Sequence, residues 1–161
     1  MKIRSLFSII LVISLISCSQ KLSPEEKIES RPLVNKQIDE DDLIDVTEEH
    51  TPPLAPNCKK EWDTERNKKC LSKFISMHVN KNLNLDLARK ANIKGVVKME
   101  INFVIDKEGR PVNITASGGP AIMNEDAINV INNLPKMEPG KIDGIPVNVK
   151  YKMPVSFMVA N

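Results

Sequence analysis

The chain has 161 residues, enough for one domain with extensions, and aromatic residues make up only 4% of it, so its core must rest on aliphatic side chains. The net charge of +2 conceals a partition: residues 19–57 carry 4 basic and 10 acidic groups, a net of −6, and residues 58–161 carry 17 and 11, a net of +6. A basic domain alone would suit nucleic acid, but an N-terminal targeting signal argues against that partner.

That signal occupies residues 1–17. Lys2 and Arg4 precede an almost wholly apolar run, Leu6 to Ile16. The run has the length of a signal-peptide core and is short for a membrane span. It ends in Leu15-Ile16-Ser17-Cys18, which resembles a bacterial lipobox. In that class of signal the cysteine, here Cys18, becomes the lipidated first residue of the mature protein. The bland alternative is an uncleaved anchor. Lipidation implies a membrane-anchored protein in an oxidising space outside the cytoplasm, on the inner or the outer membrane.

Residues 18–57 read as a disordered, acidic, proline-containing tether. The segment has no aromatic residue and has prolines at 24, 32, 52, 53 and 56, so it buries too little apolar surface to offset its ordering entropy. Leu43, Ile44 and Val46 are the one apolar patch within its acidic run. Some 40 residues reach roughly 35 Å as a flexible coil and at most about 120 Å when drawn out. Opposite charges also predict that the tether folds back on the basic domain at low salt.

A folded domain is expected over residues 58–161. Cys58 and Cys70 enclose a short loop containing Trp62. In an exported protein such a pair is most simply a disulfide. The alternative is a metal site built with His50 and His78, but the spacing matches no common zinc pattern. Asp63 to Lys81 reads as a helix, capped by Asp63 or Thr64, with Leu71, Phe74, Ile75 and His78 on one face. Lys59, Lys60, Arg66, Lys68, Lys69 and Lys73 cluster at its start as a solvated face. Leu85 to Asn92 suits a second short helix.

From Gly95 to Ile105 the apolar residues Val97, Met99, Ile101, Phe103 and Ile105 alternate with polar ones. A period of two marks a strand with one buried and one wet face. Asp106 to Arg110 is a turn, with Gly109 able to supply a positive φ. Pro111 to Ser117 returns as the hairpin partner. Asn124 to Asn133 reads as a helix with Ala127, Ile128, Ile131 and Leu134 on its apolar side. An irregular connection follows to Gly144. Pro146 to Val159 then alternates without interruption, and Pro154, lacking an N–H, places this strand at a sheet edge.

The hairpin, the helix and the last strand form a split βαβ unit with a right-handed crossover. The expected fold is α+β: a three-stranded antiparallel sheet of order 2-1-3 with two to three helices on one face. Its last strand keeps an open edge. Such an edge can accept an extended peptide, and Lys150 and Lys152 would blunt it against aggregation. Nothing suggests an enzyme or a cofactor: there is no nucleophile motif, no phosphate loop and no metal spacing.

With these residues placed, the chain resembles the C-terminal domain of TonB, in a variant common among energy-transducer-like proteins. The resemblance covers about Pro53 to Phe157. It is carried by Pro56-Asn-Cys58 with Lys68-Lys-Cys70, Asn92-Ile-Lys-Gly95-Val-Val, Phe103-Val-Ile-Asp106-Lys-Glu-Gly109 and Asp126-Ala127. Leu134-Pro-Lys-Met-Glu-Pro-Gly140, Gly144-Ile-Pro-Val147 and Met153-Pro-Val-Ser-Phe157 complete the ordered set.

The resemblance implies a periplasmic module that grips the TonB box peptide of an outer-membrane transporter as an added strand. By position, the gripping edge would comprise Val147, Asn148, Val149, Lys150, Tyr151, Lys152 and Met153. Backbone groups would supply affinity, and Asn148, Lys150 and Lys152 selectivity. The lipobox replaces the transmembrane helix with which a transducer meets the ExbB–ExbD motor, so motor contact is expected only if the N-terminus stays uncleaved. The long spacer of such transducers is also missing. A module that binds without transducing is one outcome. A structural lipoprotein that pairs with itself as a homodimer through the open edge is the other.

Overall fold

The computed structural model describes residues 35–38, 43–45 and 51–160. The expected signal peptide and lipidated Cys18 lie outside the described residues. Among the described residues, no helix is long and apolar enough to cross a membrane.

Eight elements follow in order: β1 (Leu43–Asp45), α1 (Thr64–Asn82), α2 (Leu85–Lys90), β2 (Gly95–Ile105), β3 (Pro111–Ser117), α3 (Ala121–Asn132), β4 (Gly140–Ile142) and β5 (Ile145–Val159). The sheet order is β1-β5-β2-β3, and β4 pairs with the start of β5. The expected three strands are therefore present as β3-β2-β5, antiparallel to one another. The expected count was too low and the expected uniform polarity fails at one margin. β1 and β4 are additional, and β1 runs parallel to β5.

β2 and β5 pair over eleven residues, from Gly95 against Val159 to Ile105 against Val149. Their inward side chains alternate as the sequence requires. Val97, Met99, Ile101, Phe103 and Ile105 meet Val149, Tyr151 and Val159 in one core with the helices. The β2–β3 ladder shifts register between Asn102 and Val104, opposite Asn113, whose φ of 50° is left-handed. An extra residue in one strand produces such a shift and bends the ribbon.

Asp63 caps α1 by accepting from the Arg66 N–H at 2.8 Å. Leu71, Ile75 and Val79 are the buried face. Phe74 and His78, expected on that face, flank it half-buried. The His78 Nε2 lies 3.0 Å from the Val130 carbonyl oxygen and links α1 to α3. α3 starts three residues earlier than expected, directly after Pro120. The Asn124 side chain accepts from the Gly119 N–H and donates to the Gly119 carbonyl, closing that approach. The core side of α3 is Met123, Ala127, Val130 and Ile131, a stripe rotated slightly from the expected one.

The fold also begins upstream of Cys58, contrary to the expected boundary. Thr51 exchanges two backbone hydrogen bonds with Lys141, and Leu54 exchanges two with Glu138. Pro53 and Ala55 are fully buried. These prolines read as tether residues because composition cannot show that a distant backbone supplies partners. Pro53 packs into a place where no N–H is required of it. Cys58 and Cys70 are joined as a disulfide, with Cα atoms 6.0 Å apart, so they are not metal ligands.

Candidate functional site

The edge expected to receive a peptide runs from Val147 to Met153. The structure divides it into three parts. Val147 is paired with Gly140 of β4. Asn148, Val149 and Lys150 stand in parallel register with Leu43, Ile44 and Asp45 of β1. Only Tyr151, Lys152 and Met153 have no ladder partner on that side among the described residues. The outer margin expected to be open is thus covered at Asn148, Val149 and Lys150 by β1.

Two local causes build this arrangement. Asp143 and Gly144 both have positive φ, 49° and 81°, the conformation of a two-residue hairpin turn whose twist matches the flanking strands. That turn brings Gly140–Ile142 back onto Ile145–Val147. An Asp-Gly pair between Ile142 and Ile145 is the sequence signal for such a hairpin, masked here by the surrounding prolines and glycines. The second cause is Pro154. The β2–β5 ladder passes through Glu100 against Pro154 without a break. A proline fits such a ladder only where its missing N–H would point away from the partner strand. Peptide groups of the even-numbered residues of β5 therefore face outward, at Asn148, Lys150 and Lys152. The outward ladder ends at Pro154, which has nothing to donate.

The side chains at this edge sort differently from expectation. Val149 and Tyr151 point into the core. Tyr151 stacks on Phe103 with ring centroids 5.5 Å apart. Its buried hydroxyl has no hydrogen-bond partner among the described residues, and burial pushes the phenol well above its ordinary pKa. Tyr151→Phe is therefore expected to leave stability unchanged or raise it by up to about 1 kcal/mol, because an unsatisfied hydroxyl is removed and the ring is kept. A denaturant midpoint for the two chains checks this.

Asn148 is buried too. Its Oδ1 accepts from the Lys107 N–H at 3.1 Å, so it holds the β2–β3 turn and offers no selectivity to a visitor. Lys152 pairs with Glu100 at 3.0 Å on the wet face of the sheet, and its hydrogen bond holds Glu100 below the usual carboxylate range. Lys150 is exposed.

The turn after β2 is a second contact point for the N-terminal segment. Asp106 is buried, and its Oδ1 accepts from the N–H groups of Glu108 and Arg110 at 3.0 and 2.9 Å. Its other oxygen lies 3.3 Å from the Lys36 ammonium, which also reaches Glu108 at 2.7 Å. The Lys36 hydrogen bond lowers the Glu108 pKa, and Glu108 in turn raises that of Lys36. The acidic segment does return to the basic domain, but this contact has the opposite sign from the bulk charges: a lysine of the segment meets carboxylates of the domain.

Among the described residues no group of His, Cys, Asp and Glu is placed to hold a metal ion. Comparison with curated proteins and with solved structures finds no match. A family model does match residues 86–159, from α2 to the end of β5, and its description is Gram-negative bacterial TonB protein C-terminal. That family is a periplasmic domain of transport systems which works by binding. With the β3-β2-β5 sheet and the helices packed on it in place, residues 86–159 are the part of the chain that matches the TonB C-terminal family.

Proposed function

We propose that this protein is a membrane-tethered, TonB-like binding module. It takes an extended TonB box peptide of an outer-membrane transporter as an added strand along the outward edge of β5, beginning at Asn148. The observation that carries this reading is that the edge already holds an added strand: β1 lies there in register, supported by a segment of only three residues. Outward peptide groups at Asn148, Lys150 and Lys152 give the edge its affinity, and Pro154 sets its end. The tether to the membrane follows from Leu15-Ile-Ser-Cys18 and the run before it.

The test uses the isotopically labelled full chain, without its signal segment, titrated with the soluble plug domain of a TonB-dependent transporter from the same source. Amide shifts concentrated at Asn148, Lys150 and Lys152 are expected, with the protein monomeric throughout dilution. Shifts elsewhere, or none at saturating plug, would remove the transporter reading. A dimer that persists on dilution and ignores the plug would favour the self-pairing lipoprotein instead.

A further inference from the structure

The segment on the edge of β5 has three properties that a visitor to the same place would need. It is extended, it runs parallel to β5, and its backbone meets the outward peptide groups of Asn148 and Lys150. In that parallel register, with Asn148 and Lys150 facing out, Ile44 is the residue of β1 whose own N–H and C=O both turn toward β5. The segment is also chemically matched. Residues 39–49 carry seven acidic groups and no basic one, and the register sets Asp45 opposite exposed Lys150.

β1 is held lightly. It is three residues long, far shorter than the eleven-residue ladder on the other side of β5, and a strand of that length supplies few hydrogen bonds. What keeps it in place is proximity. Thr51, six residues after Asp45, is fixed by its two bonds to Lys141, and Lys36, seven residues before Leu43, is fixed on Asp106 and Glu108. A short segment pinned on both sides has a high effective concentration at the intervening edge.

We infer that Leu43–Asp45 is a resident placeholder: it closes the strand-accepting edge at Asn148–Lys150 until a parallel, acid-flanked aliphatic segment from a partner displaces it. This inference rests on the reading of β5 as a strand-accepting edge and adds its regulation and the chemistry of its ligand. A visitor's apparent dissociation constant is its intrinsic one divided by the fraction of molecules with β1 released. Closure of about nine molecules in ten weakens binding roughly tenfold. Anchored pairing also resists filament formation, because the outward peptide groups of Asn148 and Lys150 are already occupied.

The probe is a synthetic peptide of residues 39–49 of this same chain, added to the full chain and to its Ile44→Pro variant. The proline removes the one N–H of β1 that faces the edge. The expected result is binding to Ile44→Pro at least about tenfold tighter than to the unaltered chain. The same peptide carrying the proline should not bind. Hydrogen exchange supplies a readout independent of the variant: the Lys150 amide should be protected in the unaltered chain and exposed in Ile44→Pro. Equal affinity for both chains, binding to neither, or a Lys150 amide that exchanges freely in the unaltered chain would each overturn the placeholder. The transporter reading fails separately, if the plug domain binds neither chain while the residue 39–49 peptide binds Ile44→Pro.

Discussion

Gly109→Ala is expected to be the most damaging single substitution near the site. Gly109 has a φ of +80°, and a Cβ built on it would lie 1.9 Å from the Met137 backbone oxygen. The Gly109 carbonyl also accepts from the Met137 N–H at 2.9 Å, so the two backbones are held face to face. A side chain here meets both a disfavoured backbone conformation, about 1–2 kcal/mol, and a main-chain atom that has no rotamer by which to retreat. The sum is expected to reach about 3 kcal/mol or more, the range of strained-backbone and overpacking lesions.

Gly144→Ala is the internal control. Its φ is +81°, yet nothing lies within 4 Å of the added Cβ, so only the backbone penalty of about 1–2 kcal/mol applies. Denaturant midpoints at unchanged slope measure the pair. Equal losses for the two variants would mean that the β2–β3 turn does not abut Met137 as described. The consequence for the edge is direct. The turn that Gly109 completes carries Asp106 and Lys107, and through them the contacts to Lys36 and Asn148.

The contrast between these glycines also shows what a sequence can and cannot disclose. Asp106-Lys-Glu-Gly reads as a turn because the alternation of β2 stops there, and a turn of that length needs a positive φ. That Gly109 alone is pressed against Met137 is a fact about residues 28 positions apart, and no local pattern encodes it. The same division runs through the sheet. β2 and β5 are legible because each presents one face to a core, which forces a period of two on the side chains. The order β3-β2-β5 follows from the handedness of the crossover between β3 and β5.

β1 is illegible for the opposite reason. Leu43, Ile44 and Asp45 sit in an acidic run with no periodicity to report, and the strand exists because β5 offers unpaired peptide groups, not because its own residues demand it. Alternation makes Pro146 to Val159 legible as a strand, but a count of three strands leaves its outer side vacant, and β1 lies there. The burial of Asn148 is illegible for a related reason. Alternation puts it on the wet face, yet the adjoining turn folds over it and the Lys107 N–H takes up its oxygen. A polar residue on the outward face of a strand is exposed only if no loop covers that face.

Loss of the disulfide is expected to be the second large effect, with a consequence beyond stability. Cys58 and Cys70 close a loop of 12 residues, and loop-closure entropy alone assigns that bond about 3 kcal/mol. Cys58→Ala with Cys70→Ala should therefore lower unfolding stability by about 2–4 kcal/mol. Reductant added to the unaltered chain should give the same loss. The bond also joins residues 51–58 to α1, where Leu71, the neighbour of Cys70, is fully buried. Without it, residues 51–58 are held by the four backbone bonds of Thr51 and Leu54 to Lys141 and Glu138 and by the burial of Pro53 and Ala55. The amides of that short pairing should then lose protection from exchange well before those of β2. Because Thr51 is the near anchor of β1, the effective concentration of Leu43–Asp45 at the β5 edge should fall with it. The double alanine variant is thus expected to bind the residue 39–49 peptide more tightly than the unaltered chain does, while being less stable. A variant that lost stability with no gain in peptide affinity would show that Thr51–Leu54 stays docked without the bond, leaving the anchoring of β1 to Lys36 and the edge itself.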